Sequence, residues 1–233
     1  MCSDTTTLLS LFRLAQLSDS ALPVGAFSFS LGLEAAVSQG IVCDLKSLED
    51  YTRGTLRSVA ECDGVALLEG FRAASAGDHP RLIEADRRLF AFKSAEEQRT
   101  MTCKMGYRLS ELLHSIAPTP LTERLVGWIQ EGVIKGTYPT AQAVAGVVLG
   151  TSERALFVAH LYGTATMILS ASLRLVRLSH FDTQRILYRM GELCDNLYDL
   201  SSERTLEDMS SFAPTLSLAA SLHERGVGRL FMN

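Results

Sequence analysis

The five histidines are the first residues to test for chemistry, because imidazole can bind a metal or carry a proton near neutral pH. They are His79, His114, His160, His180 and His223. No two of them stand four residues apart and the HExxH pattern is absent, so their spacing predicts no zinc site on a helix. His160 lies alone in an apolar stretch and is interpreted as a hydrogen-bonded core residue. The histidines therefore predict neither a metal site nor a catalytic cluster.

The segment SDSALPVGAFSFSLGLE, residues 18–34, is the second candidate, because glycine-rich loops can hold a phosphate or present a nucleophile. Gly25 and Gly32 are seven residues apart, but the GK[ST] ending of a phosphate-binding loop is missing. The GxSxG pattern of a hydrolase is missing too. Pro23 and the glycines are instead interpreted as residues that bend the loop, and Phe27 as a residue that docks it on the core. The sequence predicts no catalytic residue, and hence no enzyme.

Composition and charge restrict the class of protein further. The 233 residues are 47% hydrophobic and 21% charged, with a net charge of −4, which is typical of a soluble globular protein. There is no long basic run, so a nucleic-acid partner is not expected.

The five cysteines are widely spaced without a CxxC pair, and the start MCSDTTTLL shows no signal peptide. Reduced thiols in a cytoplasmic protein are therefore expected.

Helix signals recur along the whole chain, whereas strand signals are weak. In DTTTLLSLFRLAQL, residues 4–17, apolar residues follow a helical period. One later helix is expected to be interrupted near Gly64, and another to run from Thr183 to Leu200. Start signals stand at Asp44, Pro80, Ser94 with Glu97, Thr151 and Asp182. With no shift in composition, residues 1–233 are predicted to form an all-α, single-domain bundle of about nine or ten helices.

The stretch from Ala155 to Leu173 contains no Asp, Glu, Lys or Arg, and as a helix it would nearly span a bilayer. It also contains His160, Tyr162, Gly163 and several Ser and Thr residues. A helix that is apolar on all sides is equally suited to the centre of a globular protein. The stretch is therefore predicted to be a buried helix, and no membrane contact is expected.

The chain finishes with GVGRLFMN, which places Arg229 beside Leu230 and Phe231. An apolar segment of this kind is costly to leave in water. It is therefore expected either to fold back onto the core or to bind a partner. From the residues alone, both outcomes remain open.

Three motifs together resemble the UreF family of urease accessory proteins. The loop SALPVGAFSFSLGLE is similar to the family's opening signature, and EEQRTMTCKMGYRL is similar to a helix of that family through Arg99, Gly106 and Arg108. The ending HERGVGRLFMN is similar to the family's tail. The loop match falls on Leu22, Pro23, Val24, Gly25, Phe27, Ser28, Gly32, Leu33 and Glu34, and the tail match on His223, Glu224, Arg229, Leu230 and Phe231.

The resemblance implies an all-α, commonly dimeric and non-catalytic scaffold. Such proteins bind the accessory protein UreD (UreH) and the GTPase UreG while nickel is delivered to apo-urease. No tightly bound cofactor is implied, since nickel is handled by the complex. The short tail at about 223–233 is expected to bind a partner. The implied partner-binding residues are Pro23, Gly25, Phe27, Ser28, Glu34, Arg99, Arg108, Arg174, His223, Glu224, Arg229, Leu230 and Phe231.

Some positions depart from the family's pattern, and two other functions stay open. Residues that differ from those common in the family are Thr137, Tyr138, Ala143, Arg177, His180 and Thr183. One alternative is a helical enzyme that holds an apolar small molecule in a pocket lined by the uncharged helix. The other is a helical adaptor unrelated to nickel.

Overall fold

The computed structural model describes residues 7–211 and residue 231, and helices make up most of the described chain. No strand occurs in this part of the molecule. The helices are α1 (Leu8–Leu17), α2 (Leu33–Ser38), α3 (Leu45–Val59), α4 (Val65–Ala76), α5 (His79–Phe92), α6 (Glu96–Ile116), α7 (Pro120–Gln130), α8 (Tyr138–Leu149), α9 (Glu153–Leu175), α10 (His180–Gly191) and α11 (Cys194–Ser202). Single 3₁₀ turns lie at Ala26–Ser28 and Leu206–Asp208. The predicted all-α fold is confirmed.

Helices α3 and α4 form one continuous rod, joined through the π-helical turn Ala60–Gly64. Counted this way, the described residues form ten helical rods, as the sequence predicts. The expected interruption near Gly64 is this π turn. A side chain on Gly64 would come within 2.8 Å of the Phe157 ring and 3.2 Å of the Ser201 hydroxyl. Glycine therefore lets the rod pack closely against α9 and α11.

Two of the predicted helix starts are confirmed. Asp44 caps α3, where its carboxylate accepts the backbone N–H of Ser47 at 2.8 Å. Pro80 lies in the first turn of α5. Backbone N–H groups in a first turn have no partner within the helix, so proline costs no hydrogen bond there. Asp78 caps the same helix through the backbone N–H of Arg81.

Other predicted boundaries are wrong by one or more residues. The predicted capping box of Ser94 and Glu97 does not form, because α6 begins at Glu96 and its cap position is Ala95. Ser152, not Thr151, caps α9. Ser179 caps α10, and Asp182 is its capping-box partner inside the first turn. At α9 and α10, two residues with suitable side chains stand close together, so sequence alone does not select the one at the cap.

The helix expected to run from Thr183 to Leu200 is divided in two. Helix α10 ends at Gly191, and α11 begins at Cys194. The backbone N–H of Glu192 bonds to the carbonyls of Arg189 and Met190 and so tightens the last turn. The apolar period continues across the break, which is why the pattern predicts one helix.

Helices α8 and α9 lie at the centre of the fold. Residues 139–146 of α8 are buried without interruption, and α8 packs on α4 and α6. Helix α9 packs on α2, α3 and α10. In its most apolar window, 61% of α9 is buried inside the protein, although its length and hydropathy would suit a bilayer. Helix α9 is therefore a core helix, as predicted.

Helix α6 passes very close to the loop before α8. A side chain on Gly106 would overlap the carbonyl oxygen of Gly136, so only glycine permits this approach. The same loop is held by the fully buried carboxylate of Asp86, which accepts the backbone N–H groups of Lys135 and Thr137 at 2.7 Å each. The family-like Gly106 therefore has a packing role.

The apolar pattern of α1 faces outward. Leu8 is 87% exposed, Leu11 48% and Phe12 75%, while Leu17 at the end of the helix is buried. The exposed residues stand at i, i+3 and i+4, so they form one face. We call this face of Leu8, Leu11 and Phe12 the α1 surface.

Candidate functional site

Residues 18–32 form a bent loop between α1 and α2, and two of its glycines adopt left-handed backbone angles. Gly25 has a φ of 80° and Gly32 a φ of 78°, a region that favours glycine because other side chains crowd the following carbonyl. Leu31 shares this conformation, with a φ of 52°, and its carbonyl accepts the Tyr51 hydroxyl at 2.7 Å. The loop therefore has a defined shape that its sequence enables.

Phe29 docks the loop on the core and Phe27 does not. The Phe29 side chain is 3% exposed, whereas Phe27 is 72% exposed. The sequence interpretation of Phe27 as the docking residue is therefore wrong. Phe27 is the middle residue of the 3₁₀ turn Ala26–Ser28, and its side chain faces outward there. Phe29 follows the turn with an extended backbone, and its side chain is buried in the core.

A cavity of about 160 Å³ lies beneath this loop. Leu22, Val24 and Ala26 of the loop form one wall, and Met101 and Met105 of α6 contribute another. The lining is mainly apolar. Residues of the uncharged stretch of α9, such as Ala159 and Gly163, also line it. Part of what the small-molecule alternative expects is therefore present.

One buried histidine belongs to the wall of this cavity. His160 of α9 is 5% exposed, and its Nδ1 lies 2.7 Å from the Gln142 Oε1 atom. This bond confirms the interpretation of His160 as a hydrogen-bonded core residue. Its Nε2 atom is buried and has no hydrogen-bond partner among the described residues. Burial lowers the pKa of His160 to about 4, so the ring is neutral at pH 7.

A buried ion pair lines another part of the same cavity. The Lys93 Nζ atom donates to Asp63 at 2.6 and 2.8 Å, and both side chains are less than 15% exposed. Burial is the largest single effect and acts to lower the pKa of Lys93, but the interactions with Asp63 and Cys62 together outweigh it, and the net shift is upward. Asp63 belongs to the π-helical turn, a type of irregularity that often occurs at functional sites.

The sequence interpretation missed Asp63 and Lys93, because no motif joins two residues 30 positions apart. In the part of the chain that the structure describes, no group of three or more His, Cys, Asp or Glu side chains is placed to hold a metal ion. The four described cysteines, Cys43, Cys62, Cys103 and Cys194, are free.

Three of the predicted partner-binding residues meet at one place. The Phe231 side chain is 5% exposed, and its backbone N–H donates to Glu34 Oε2 at 3.0 Å. The Arg174 guanidinium lies over its ring. Arg174 is in the last turn of α9, where a cation also interacts favourably with the helix dipole. At Phe231, the expected alternative of folding back onto the core is the one observed.

The other predicted residues do not join this group. Pro23, Gly25, Phe27 and Ser28 lie in the bent loop. Arg99 and Arg108 are exposed on α6, where Arg99 donates to the Lys93 carbonyl at 2.6 Å and Arg108 pairs with Glu111 at 3.2 Å. The partner role predicted for all of them stays a prediction. His223, Glu224, Arg229 and Leu230 lie outside the described residues.

The described residues form an all-α bundle with an apolar surface helix. The sequence profile of the UreF family matches residues 42–191. The chain is 38% identical over 223 residues to the urease accessory protein UreF of Yersinia enterocolitica (serotype O:8 / biotype 1B). These aligned residues cover 96% of this chain and 98% of that protein.

Two further relatives agree. The chain is 39% identical over 225 residues to UreF of Photorhabdus laumondii subsp. laumondii, with 97% of this chain and 99% of the relative covered. It is 41% identical over 231 residues to the urease accessory protein UreF 2 of Brucella suis, with 99% and 95% covered. The protein belongs to the UreF family of urease accessory proteins.

Proposed function

We propose that this protein is a non-catalytic scaffold in urease maturation, which binds a UreD-type accessory protein and the GTPase UreG while nickel is inserted into apo-urease. The observation that carries the proposal is similarity to urease accessory proteins over nearly the whole chain. Cytoplasmic action follows from that role.

The α1 surface supports a protein-binding role. Leu8, Leu11 and Phe12 are large apolar side chains, and all three face solvent on one side of a single helix. Exposed apolar patches of this kind mark interaction sites more often than random surface does. Ala15 extends the same face by one turn. We therefore assign the UreD-type partner to the α1 surface.

An exposed aromatic pair on α10 suits the homodimer that the family resemblance implies. Phe181 and Tyr188 of α10 are 79% and 80% exposed, and they are seven positions apart, so they lie on one helix face. Arg185, which pairs with Asp182 at 2.9 Å, stands between them. Aromatic residues and arginine are enriched at protein interfaces. A two-fold contact would bring this face against its own copy.

Nickel is proposed to be cargo of the complex and not a resident ion of this chain. The described residues offer no cluster of three or more metal-binding side chains. The contribution of this chain is then to hold the GTPase and the accessory protein in one complex, so that GTP hydrolysis is coupled to nickel insertion.

Co-purification from urease-expressing cells tests the scaffold role. The chain should carry a UreD-type protein and UreG with it, and its deletion should abolish urease activation. Phe12→Glu should keep the wild-type melting curve but lose the UreD-type partner, because a charge replaces an apolar contact. Gln130→Glu, a change at an exposed polar position of α7, is the control. Normal urease activation without this protein would contradict the proposal.

A further inference from the structure

The walls of the cavity beneath the loop are mainly apolar, and they come from three parts of the fold. Leu22 and Val24 belong to the loop, Met101 and Met105 to α6, and Met167 to α9. Methionine side chains are flexible and polarizable, so they adapt to the shape of an apolar ligand and make favourable contacts with aromatic rings. Three of them around one space therefore favour an aromatic ligand.

Three polar residues that α9 contributes to the wall leave a ligand little to bond with. The hydroxyl of Thr164 donates to the His160 carbonyl at 2.9 Å, and that of Thr166 donates to the Tyr162 carbonyl at 2.9 Å. The His160 Nδ1 atom is bonded to Gln142, and its Nε2 atom is buried and does not open onto the cavity. The threonine hydroxyls therefore need no hydrogen bond from a ligand, and the imidazole can offer none.

The charged groups of the wall favour an uncharged ligand. Asp63 and Lys93 bind each other through two short hydrogen bonds, so their charges cancel within the wall. Asp19 is exposed in the loop, where its carboxylate accepts the backbone N–H of Ala21 at 2.8 Å. An ionic ligand would have to break the Asp63–Lys93 pair or remain without a counter-charge in an apolar space. An uncharged molecule meets neither difficulty.

The size of the cavity limits the size of the ligand. Its volume of about 160 Å³ is close to the roughly 150 Å³ of an engineered apolar cavity in another protein, which stays dry and binds benzene. A ligand of about six or seven non-hydrogen atoms therefore fits. A single aromatic ring with at most one small substituent has this size.

We propose that this cavity is a binding site for a small uncharged aromatic molecule, which is held by apolar contact with the methionine side chains and the loop. The site goes beyond the scaffold role and does not depend on it. Because Leu22, Val24 and Ala26 form one wall, the bound ligand would hold the loop against the helices.

Toluene and the N-methylpyridinium ion are the probes, because they have nearly the same shape and only the second carries a charge. In calorimetric titration of the full chain, toluene should bind saturably and N-methylpyridinium at least tenfold more weakly. Ala159→Leu, which adds volume at the cavity wall, should remove the binding of toluene. Ala91→Leu, the same change at an exposed position of α5 outside the cavity, is the matched control and should retain it.

A second measurement uses the unaltered chain, so it does not depend on the folding of a variant. With ¹³C-labelled methionine methyl groups, the resonances of Met101, Met105 and Met167 should shift as toluene is added. Met190 and Met209 are buried in other apolar clusters, and their resonances should stay in place.

Four results would each overturn the proposal. These are no saturable binding of toluene, equal binding of N-methylpyridinium, retained binding in a folded Ala159→Leu protein, and unchanged resonances of the three methionines at the cavity. None of these results bears on urease activation, so the two proposals are tested separately.

Discussion

The Cζ atom of Arg174 lies 4.7 Å from the centroid of the Phe231 ring, and the backbone N–H of Phe231 donates to Glu34. A residue near the end of the sequence is thereby joined to the last turn of α9 and to α2. The Phe231 ring also belongs to the apolar cluster around α3, α9 and α10. Phe231 and Arg174 therefore have a structural role in this chain, whatever further role they have with partners.

Phe231→Ala should lower the free energy of unfolding by about 3 kcal/mol, because it removes a buried aromatic ring and leaves a cavity. Urea denaturation followed by circular dichroism measures the change. The control is Phe181→Ala, whose side chain is 79% exposed and whose loss should change stability by less than about 0.5 kcal/mol. Equal effects of the two substitutions would show that Phe231 is not part of the core.

Arg174→Ala should destabilise the protein by about 1 kcal/mol, through loss of the cation–π contact and of a charge at the helix end. A double-mutant cycle with Phe231→Ala isolates the contact from the helix-end effect. The exposed Arg177, just past the end of α9, provides the control substitution Arg177→Ala. Additive effects of Arg174→Ala and Phe231→Ala would contradict a direct interaction.

Gly106→Ala should destabilise the fold by several kcal/mol or prevent folding, because the added methyl group would overlap the backbone of Gly136. Gly127→Ala is the matched control. It also lies within a helix, but it has open space around it and should gain up to about 1 kcal/mol from the better helix propensity of alanine. Similar melting temperatures for the two variants would argue against the close approach.

Gly25→Val should destabilise the loop although no atom lies near its added side chain. The cause is the positive φ, which costs other L-residues about 1–2 kcal/mol. Gly25→Asn should be much milder, because asparagine tolerates this conformation. Thermal melts and co-purification with urease accessory proteins measure the two effects. A Gly25→Val protein with normal stability and partner binding would reduce the segment to a simple linker.

His160 should make the protein sensitive to acid. Its folded pKa of about 4 lies below the ordinary value of 6.5, so protonation favours the unfolded chain. The stabilising contribution is present above pH 6.5 and is lost as the pH falls towards 4. Between pH 7 and pH 5 the loss is about 2 kcal/mol.

The test compares urea denaturation of the wild type and of His160→Gln at both pH values. Carboxylates with lowered pKa, such as that of Glu207, contribute to both proteins and cancel in the difference. The variant should lose about 2 kcal/mol less than the wild type. Parallel losses in the two proteins would show that His160 is not buried as a neutral ring.

The helical class, and most of the helix positions, could be predicted from the sequence. The start of a helix depends on residues within one or two turns of it, so the local sequence was enough to predict the starts at Asp44 and Pro80. The family resemblance could also be found from the sequence, because each of its motifs is a continuous stretch of residues. Where two possible capping residues stand within one turn, as Ser179 and Asp182 do, only the folded chain selects the cap.

The sequence by itself determined that α1 is a helix with an apolar face and that a bent loop follows it. Only the tertiary structure decided that the α1 surface faces solvent and that Phe29, not Phe27, docks the loop. It alone placed Asp63 and Lys93 beside His160 around one cavity. The reason is that period and propensity describe neighbours along the chain. Burial and pairing depend on residues that are distant in sequence and meet only when the helices pack.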